Sequence, residues 1–220
     1  MKAVNLINND VPPIRPYETM DKALFWMDEF KVKHLPVVEG SQYLGLLSDE
    51  MVLDHNKPKD LINVLNFIGK KQCVTEKTHL YKVMHLLSKH KLTLIPVVKD
   101  ETEFLGAISS IYLMGVLSKQ SGFSEKGPII VLQLNSIDFQ LSQIAQIIEG
   151  NNAKILGFYT EFSNDENQLN VTLKINQTKL GGILQTFSRY DYNVIGLYTD
   201  EEDENDFQER YDHLMNYLKL

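Results

Sequence analysis

A short phrase that returns constrains this chain more than any other feature. Leu35-Pro36-Val37-Val38 recurs as Ile95-Pro96-Val97-Val98, and Leu44-Gly45-Leu46-Leu47-Ser48 recurs as Leu105-Gly106-Ala107-Ile108-Ser109. Each copy follows a stretch with the apolar spacing of an amphipathic helix. The same order of helix, strand, turn and strand, repeated at a period near sixty, marks a tandem module that buries its core by pairing copies. Paired modules leave a cleft between them, and internal interfaces of that kind commonly hold ligands.

The local signals agree with the repeat. In the first copy Thr19 is a helix N-cap candidate, followed at helical spacing by Ala23, Leu24, Met27 and Phe30. Residues 34–38 read as a strand, 39–42 as a turn and 43–47 as the return strand. A helix follows from about Asp49 and breaks at 56–60. In the second copy the helix carries Leu80, Val83, Met84, Leu87 and, near its end, Leu92. Residues 95–98 and 104–108 form its hairpin, with a turn one residue longer than in the first. Loops drift in this way while cores stay fixed.

A boundary falls at 121–128, where Ser, Gly and Pro accumulate. Beyond it the spacing gives a strand over 129–134, then a helix over 141–149 with Leu141, Ile144, Ala145 and Ile148 on one face. Gly150-Asn151-Asn152 stops that helix. A strand over 154–162 and an alternating strand (Leu169, Val171, Leu173, Ile175) precede a helix capped by Thr178, and a last strand runs over 193–199. Strand, helix, strand, strand, helix, strand is the ferredoxin-like order. An acidic run over 201–206 leads to a further helix with Phe207, Tyr211, Leu214, Met215 and Leu218 on its apolar side.

Bulk composition narrows the class of partner. Hydrophobic residues make up 43% of the 220 and charged residues 23%, an ordinary globular balance. With 22 Lys plus Arg against 29 Asp plus Glu, the net charge of −7 and the lack of a basic cluster argue against nucleic acid as partner. The single Cys73 excludes an intramolecular disulfide framework and a four-thiolate zinc site, and fits a reducing cytoplasm. The first residues lack a signal-peptide pattern, and the apolar run 111–117 falls far short of the ~20 residues that span a bilayer. The expectation is a cytoplasmic protein with no membrane partner.

The two copies, Thr19…Ala23…Met27…Leu35-Pro36-Val37-Val38…Leu44-Gly45-Leu46-Leu47-Ser48 and their repeats, resemble a pair of cystathionine-beta-synthase (CBS) domains. The remainder looks like an ACT-type regulatory domain, and the combination is similar to AcuB-type proteins, named for acetoin utilisation. The implied fold class is α+β: a CBS pair followed by a ferredoxin-like (βαββαβ) ACT-type domain with an extra C-terminal helix. The implied division is 1–60, first repeat; 61–124, second repeat; 128–220, ACT-like domain. The resemblance also implies a regulatory dimer that binds an adenosyl ligand (AMP, ADP, ATP or S-adenosylmethionine) between the repeats. Ligand contacts are expected at Ile14, Thr19, Lys31, His34, Pro36, Ser48, His90, Lys91, Pro96 and Ser109, with Lys33 beside them.

Two departures from the family patterns bear on that expectation. In nucleotide-binding CBS domains an Asp three residues after the strand-end hydroxyl takes both ribose hydroxyls, which a carboxylate can do because it accepts two hydrogen bonds. Met51 and Tyr112 hold those positions here. In the ACT-like part, Phe139 stands where a Gly lets backbone amides approach an amino acid, and Asp138 reads as a helix N-cap instead. The other candidates read as structural. His79, His85 and His90 lack the spacing of a metal face, Gly181-Gly182 suits a helix packed closely on a sheet, and Trp26 suits a core or a dimer interface. No nucleophile elbow, phosphate loop or dinucleotide fingerprint is present, so no catalytic residue is expected. The alternatives to a nucleotide sensor are an interaction or scaffold protein with a degenerate site, and an amino-acid sensor working through the ACT-like part.

Overall fold

The computed structural model describes residues 1–65, 72–163 and 167–199. The acidic run and the C-terminal helix expected from the sequence lie outside the described residues. Contacts divide the chain into two compact units, Met1–Leu117 and Ser118–Leu220.

In the first unit, helix α1 (Met20–Glu29) begins where the Thr19 hydroxyl accepts from the Lys22 backbone N–H at 3.4 Å, and it buries Met20, Ala23 and Met27. It ends in a left-handed residue, Lys31 (φ 53°), which returns the Val32 N–H to the Met27 carbonyl at 2.9 Å. Helix α3 (Leu80–Lys89) repeats this closure through Lys91 (φ 52°) and a Leu92 N–H to Leu87 carbonyl bond of 2.9 Å. Both C-terminal closures tuck an apolar residue, Val32 or Leu92, into the core.

The hairpins match as closely. Strand β1 (His34–Glu39) pairs antiparallel with β2 (Gln42–Ser48), and β4 (Leu94–Lys99) with β5 (Glu103–Ser109). Each register slips once, between Val37 and Val38 and between Val97 and Val98. The longer second turn is closed by Asp100 and Glu101 at φ 48° and 65°, where the first uses Gly40 at φ 60°. The hairpin tips join the repeats into one sheet. Tyr43 donates its N–H to the Thr102 carbonyl and Phe104 to that of Ser41, both at 2.8 Å, and Gln42 pairs with Glu103. With the short strand β3 (Val74–Thr75) parallel to β4, the sheet order is β1-β2-β5-β4-β3. Ile14 makes the equivalent parallel bridge to Val37 in the first repeat. Helices α2 (Asp49–His55) and α4 (Ser110–Ser118) follow the hairpins.

The leading segment of each repeat packs on the other repeat. From the first, Ala3 N–H bonds the Thr78 carbonyl, Val4 N–H that of Glu76, and the Met1 carbonyl accepts from Leu80. From the second, Ile62 N–H bonds the Glu18 carbonyl, Asn63 N–H that of Pro16, and the Asp60 carbonyl accepts from Met20. These are the same three bonds at the same offset. The one-turn 3-10 helices that carry them (Ala3–Leu6 and Ile62–Val64) bury Ala3, Leu6 and Ile62 completely. The exchange has no period of its own in the sequence, and the apolar pattern did not reveal it.

In the second unit a short helix α5 (Ser121–Ser124) precedes β6 (Ile129–Asn135), α6 (Leu141–Gly150), β7 (Ile155–Phe162), β8 (Gln168–Ile175), α7 (Gly181–Arg189) and β9 (Asn193–Tyr198). The sheet order is β7-β8-β6-β9, with every pair antiparallel. This is the ferredoxin-like arrangement, with Ile144, Ile147, Ile148, Ile183, Leu184 and Phe187 of the helices packed on Ile130, Leu132, Val171 and Leu173 of the sheet. The structure corrects three local expectations. Asp138 does not cap α6: it lies in a 3-10 turn (Ser136–Asp138), takes the Asn135 side-chain amide at 3.1 Å, and α6 starts behind Gln140. Thr178 does not cap α7, which begins at Gly181 behind Leu180. Gly182 is packed not on the sheet but on the Asn151 side chain at the end of α6, 2.7 Å from where a Cβ would stand. No helix among the described residues is long and apolar enough to cross a membrane.

Gly106 shows how tightly the exchanged leader sits. Its φ is +153°, and an added Cβ would drive into the Ile7 side chain, with Asn9 Oδ1 at 3.4 Å. Gly106→Ala therefore strains backbone and packing together. It should lower unfolding stability by about 2–3 kcal/mol, read as a drop in urea midpoint at unchanged slope.

Candidate functional site

Strands β2 and β5 end on the two hydroxyls singled out in the sequence. Ser48 Oγ accepts from the Met51 N–H at 3.2 Å and Ser109 Oγ from the Tyr112 N–H, also at 3.2 Å. Both serines are nearly buried, at 5% and 8% exposure. Each caps the helix that follows and keeps its own proton to donate. The first turn of α2 begins with two acids, Asp49 and Glu50, whereas α4 begins with Ser110 and Ile111. The pair is thus equivalent in backbone geometry and unequal in charge.

Between the two repeats, His34 at the start of β1 faces Thr93, the residue before β4. The imidazole Nδ1 lies 3.0 Å from Thr93 Oγ1 and accepts from the Thr93 N–H at 3.3 Å. The Lys33 N–H donates to the same hydroxyl at 2.9 Å. The bond from the Thr93 N–H requires Nδ1 as an acceptor, so the neutral ring carries its proton on Nε2 and the Thr93 hydroxyl donates to Nδ1. Burial is the largest influence on this group and depresses its basicity; Lys33 adds to that, while Asp49 and Glu50 oppose it.

The remaining expected contact residues fall into two sets. Ile14, Pro36 and Pro96 are buried backbone supports. The Ile14 N–H bonds the Pro36 carbonyl at 2.9 Å, and the Val38 N–H returns to Ile14 at 3.0 Å. Thr19 is spent on capping α1. Lys31, His90 and Lys91 stand at the exposed C-terminal ends of α1 and α3. Lys31 Nζ is 2.9 Å from Asp28 Oδ1, and Lys33 Nζ is 4.0 Å from Asp49 Oδ2. So the structure gives Ser48 and Ser109 equivalent settings, each in its own repeat, and links His34 to Thr93 across the repeats. It gives the helix-end lysines an ion partner or a backbone role.

The positions that hold an Asp in the family pattern carry side chains of another kind. Met51 packs against the buried core, and Tyr112 is 37% exposed. Two residues escaped sequence reasoning: Thr93, and Asn8, whose Oδ1 accepts from the Ser109 N–H at 3.2 Å. Both act across long sequence separations, which leave no periodic trace. In the second unit, Phe139 is partly buried against the helix–sheet core. A cavity of about 300 Å³ lies between α6 and α7, lined by Gln143, Gln146, Asn151, Thr186 and Tyr190 among others. No cluster of three or more His, Cys, Asp or Glu side chains that could hold a metal occurs among the described residues.

Residues 66–119 match the family model of the CBS domain. The chain therefore carries a CBS domain at its second repeat, and the first repeat has the same order of helix, strands and helix. Among solved structures, the chain is similar to a CBS domain pair/ACT domain protein from Thermotoga maritima (20% identity, TM-score 0.48, 53% of this chain and 96% of that one). It is similar as well to CBSX2 in complex with AMP (20%, 0.45, 53% and 95%). A third is the acetoin utilization protein AcuB from Vibrio cholerae (17%, 0.45, 53% and 90%).

Two outcomes test this geometry. His34 is held below its ordinary pKa in the folded chain, while the unfolded imidazole titrates near ~6.5. Between those two values the unfolded chain binds more protons, so stability falls as the pH drops below ~6.5 and levels off beneath the folded value. His34→Gln should flatten that slope in melts taken from pH 7.5 to 5. Ser48→Ala and Ser109→Ala should each cost about 1 kcal/mol through loss of a helix cap, measurable by urea unfolding.

Proposed function

We propose that this chain is a non-catalytic regulatory protein that senses a small ligand, an adenosyl nucleotide, in the cleft between its two repeats and signals as a homodimer in the cytoplasm. The observation that carries this reading is the matched pair Ser48 and Ser109. Two nearly buried hydroxyls end equivalent strands, cap equivalent helices and retain donor protons. A pair of like donors on two related repeats suits a polyanionic or hydroxyl-rich ligand. The exposed cations at the ends of α1 and α3 supply the charge that attracts such a ligand to an otherwise acidic protein. Ile14, Pro36 and Pro96 would form the apolar floor.

With Met51 and Tyr112 in the two carboxylate positions, recognition of the ribose diol by a bidentate acceptor is not part of this mode. Binding would rest on the hydroxyls, the cations and apolar contact. The ligand would act by population shift, favouring one placement of the repeats over another. The division into repeats at 1–60 and 61–124 and an ACT-like domain at 128–220 belongs to the same proposal. A second reading, a scaffold with a decayed site, is favoured by two observations: Met51 is packed against the core and Lys31 is paired with Asp28.

Melting temperature against AMP, ADP, ATP, S-adenosylmethionine and the common amino acids separates these readings. A ligand at 100 times its dissociation constant adds about 2.7 kcal/mol, which moves a melt by several degrees. The sensor reading expects a shift with at least one adenosyl compound. It expects loss of that shift in Lys31→Asn/Lys91→Asn, in which Asn keeps the left-handed backbone at both positions. A shift with amino acids alone would move the sensor to the second unit, and no shift at millimolar concentration would leave the scaffold.

A further inference from the structure

The residues that lead into β1 and β4 meet each other across the two repeats, and each also holds the start of a helix. Lys33 and Thr93 occupy the same place in their repeats. The Lys33 carbonyl accepts from the Asp49 N–H at 2.9 Å, and the Thr93 carbonyl from the Ser110 N–H at 2.9 Å. Asp49 opens α2 directly after Ser48, and Ser110 opens α4 directly after Ser109. The Ser110 hydroxyl adds a bond to the same Thr93 carbonyl at 3.2 Å. Between Lys33 and Thr93 runs the cross-repeat joint. The Lys33 N–H donates to Thr93 Oγ1 at 2.9 Å, the Thr93 N–H to His34 Nδ1 at 3.3 Å, and Thr93 Oγ1 lies 3.0 Å from the same nitrogen. The two serine-capped helix starts are thus tied together through Asp49, Lys33, Thr93 and Ser110, and the His34 ring closes the joint.

We propose that His34 and Thr93 are positioning residues for Ser48 and Ser109: the neutral ring locks the two helix starts to one another, and a proton on Nδ1 opens the lock. This deepens the sensor reading above by giving its site a regulator, and it rests on that reading only for what a bound ligand would feel. The lock works by polarity. In the neutral ring Nδ1 accepts from the Thr93 N–H. Protonation puts a donor there, so two N–H groups face one another across 3.3 Å and that bond is lost. The Thr93 hydroxyl has a second lone pair for the new donor while it still accepts from Lys33. The Thr93 N–H has no other acceptor among the described residues. An unpartnered N–H in a part-buried joint is unfavourable, so the ring moves off Thr93 and the joint loosens. Burial, the largest influence, and Lys33 oppose the proton, Asp49 and Glu50 at the start of α2 favour it, and α4 carries no charged residue. The opposing influences win, so the lock stays closed at neutral pH and opens only below the ordinary imidazole value of ~6.5.

Amide hydrogen exchange by NMR on the full-length chain tests this. It is read at Asp49, Thr93 and Ser110 alongside the titration of the His34 ring from pH 7.5 to 5, with rates corrected for the intrinsic effect of pH. In the wild type all three amides should lose protection by about tenfold, the scale of one backbone hydrogen bond, with the same midpoint as the ring. His34→Gln, whose side-chain oxygen accepts from the Thr93 N–H at every pH, should keep them protected throughout. Thr93→Val removes the hydroxyl that receives Lys33, so Asp49 and Ser110 should exchange fast already at pH 7.5. A ring that titrates while these amides stay protected overturns the proposal, as does an equal loss of protection in His34→Gln. A ring still neutral at pH 5 overturns it too, because the lock then never opens. Calorimetry with AMP as the probe joins the lock to the site. The ratio of wild-type to His34→Gln affinity, which cancels the titration of the phosphate itself, should fall about tenfold on acidification. A constant ratio overturns the positioning role. No AMP binding at either pH fails the sensor reading alone, and the exchange data still decide the lock.

Discussion

The reciprocal exchange of leading segments is the interaction on which the first unit depends. Residues 1–6 close the N-terminal end of α3, and residues 60–63 close that of α1, through three backbone bonds that correspond one to one. The first four N–H groups of a helix have no partner inside it. Here a leader from the other repeat, with its one-turn 3-10 helix, brings a carbonyl and buried apolar side chains to the same end. Neither repeat is therefore complete alone. Removing one leader takes away Ala3 and Leu6, or Ile62, all fully buried, so the core surface they cover is uncovered and the opposite helix start loses its neighbour. The candidate cleft inherits this arrangement, because Asn8 of the first leader holds the Ser109 N–H.

Equivalent backbones with unequal side chains describe the site. Both hairpins carry the same register slip, both serines cap in the same way, and both helices before them end in a left-handed lysine. The differences are chemical: Asp49 and Glu50 against Ser110 and Ile111, His34 against Leu94, Lys33 against Thr93. The duplicated frame thus carries diverged side chains, and its cross-repeat link between His34 and Thr93 is sensitive to protons. Lysine in the left-handed region costs more than glycine would at the same place, so the backbone at Lys31 and Lys91 is held there by the Val32 and Leu92 anchors.

Much of this was legible in the sequence. Alternation at Leu169, Val171, Leu173 and Ile175 and the two Leu/Ile-Pro-Val-Val phrases gave strands within a residue or so, because burial on one face of a strand or helix imposes a period. The ferredoxin-like order followed from the succession of those periods. Helix starts fared worse. Thr178 and Asp138 have capping chemistry but do not cap, since Leu180 and Gln140 hold the geometry that α7 and α6 need. Of the ten expected contact residues, Ser48 and Ser109 stand in matched positions. Lys31, His90 and Lys91 stand exposed at helix ends, where no local signal relates them to the cleft.

The sequence by itself determined what depends on neighbours along the chain: the duplication, the elements, the acidic balance and the absence of carboxylates at positions 51 and 112. Only the tertiary structure decided what depends on residues far apart. It decided that each leader crosses to the other repeat and that Thr93 and Asn8 complete hydrogen bonds to His34 and Ser109. Periodicity records which face of an element is buried, but not against which partner. That choice is made by shape and hydrogen-bond geometry once the elements meet.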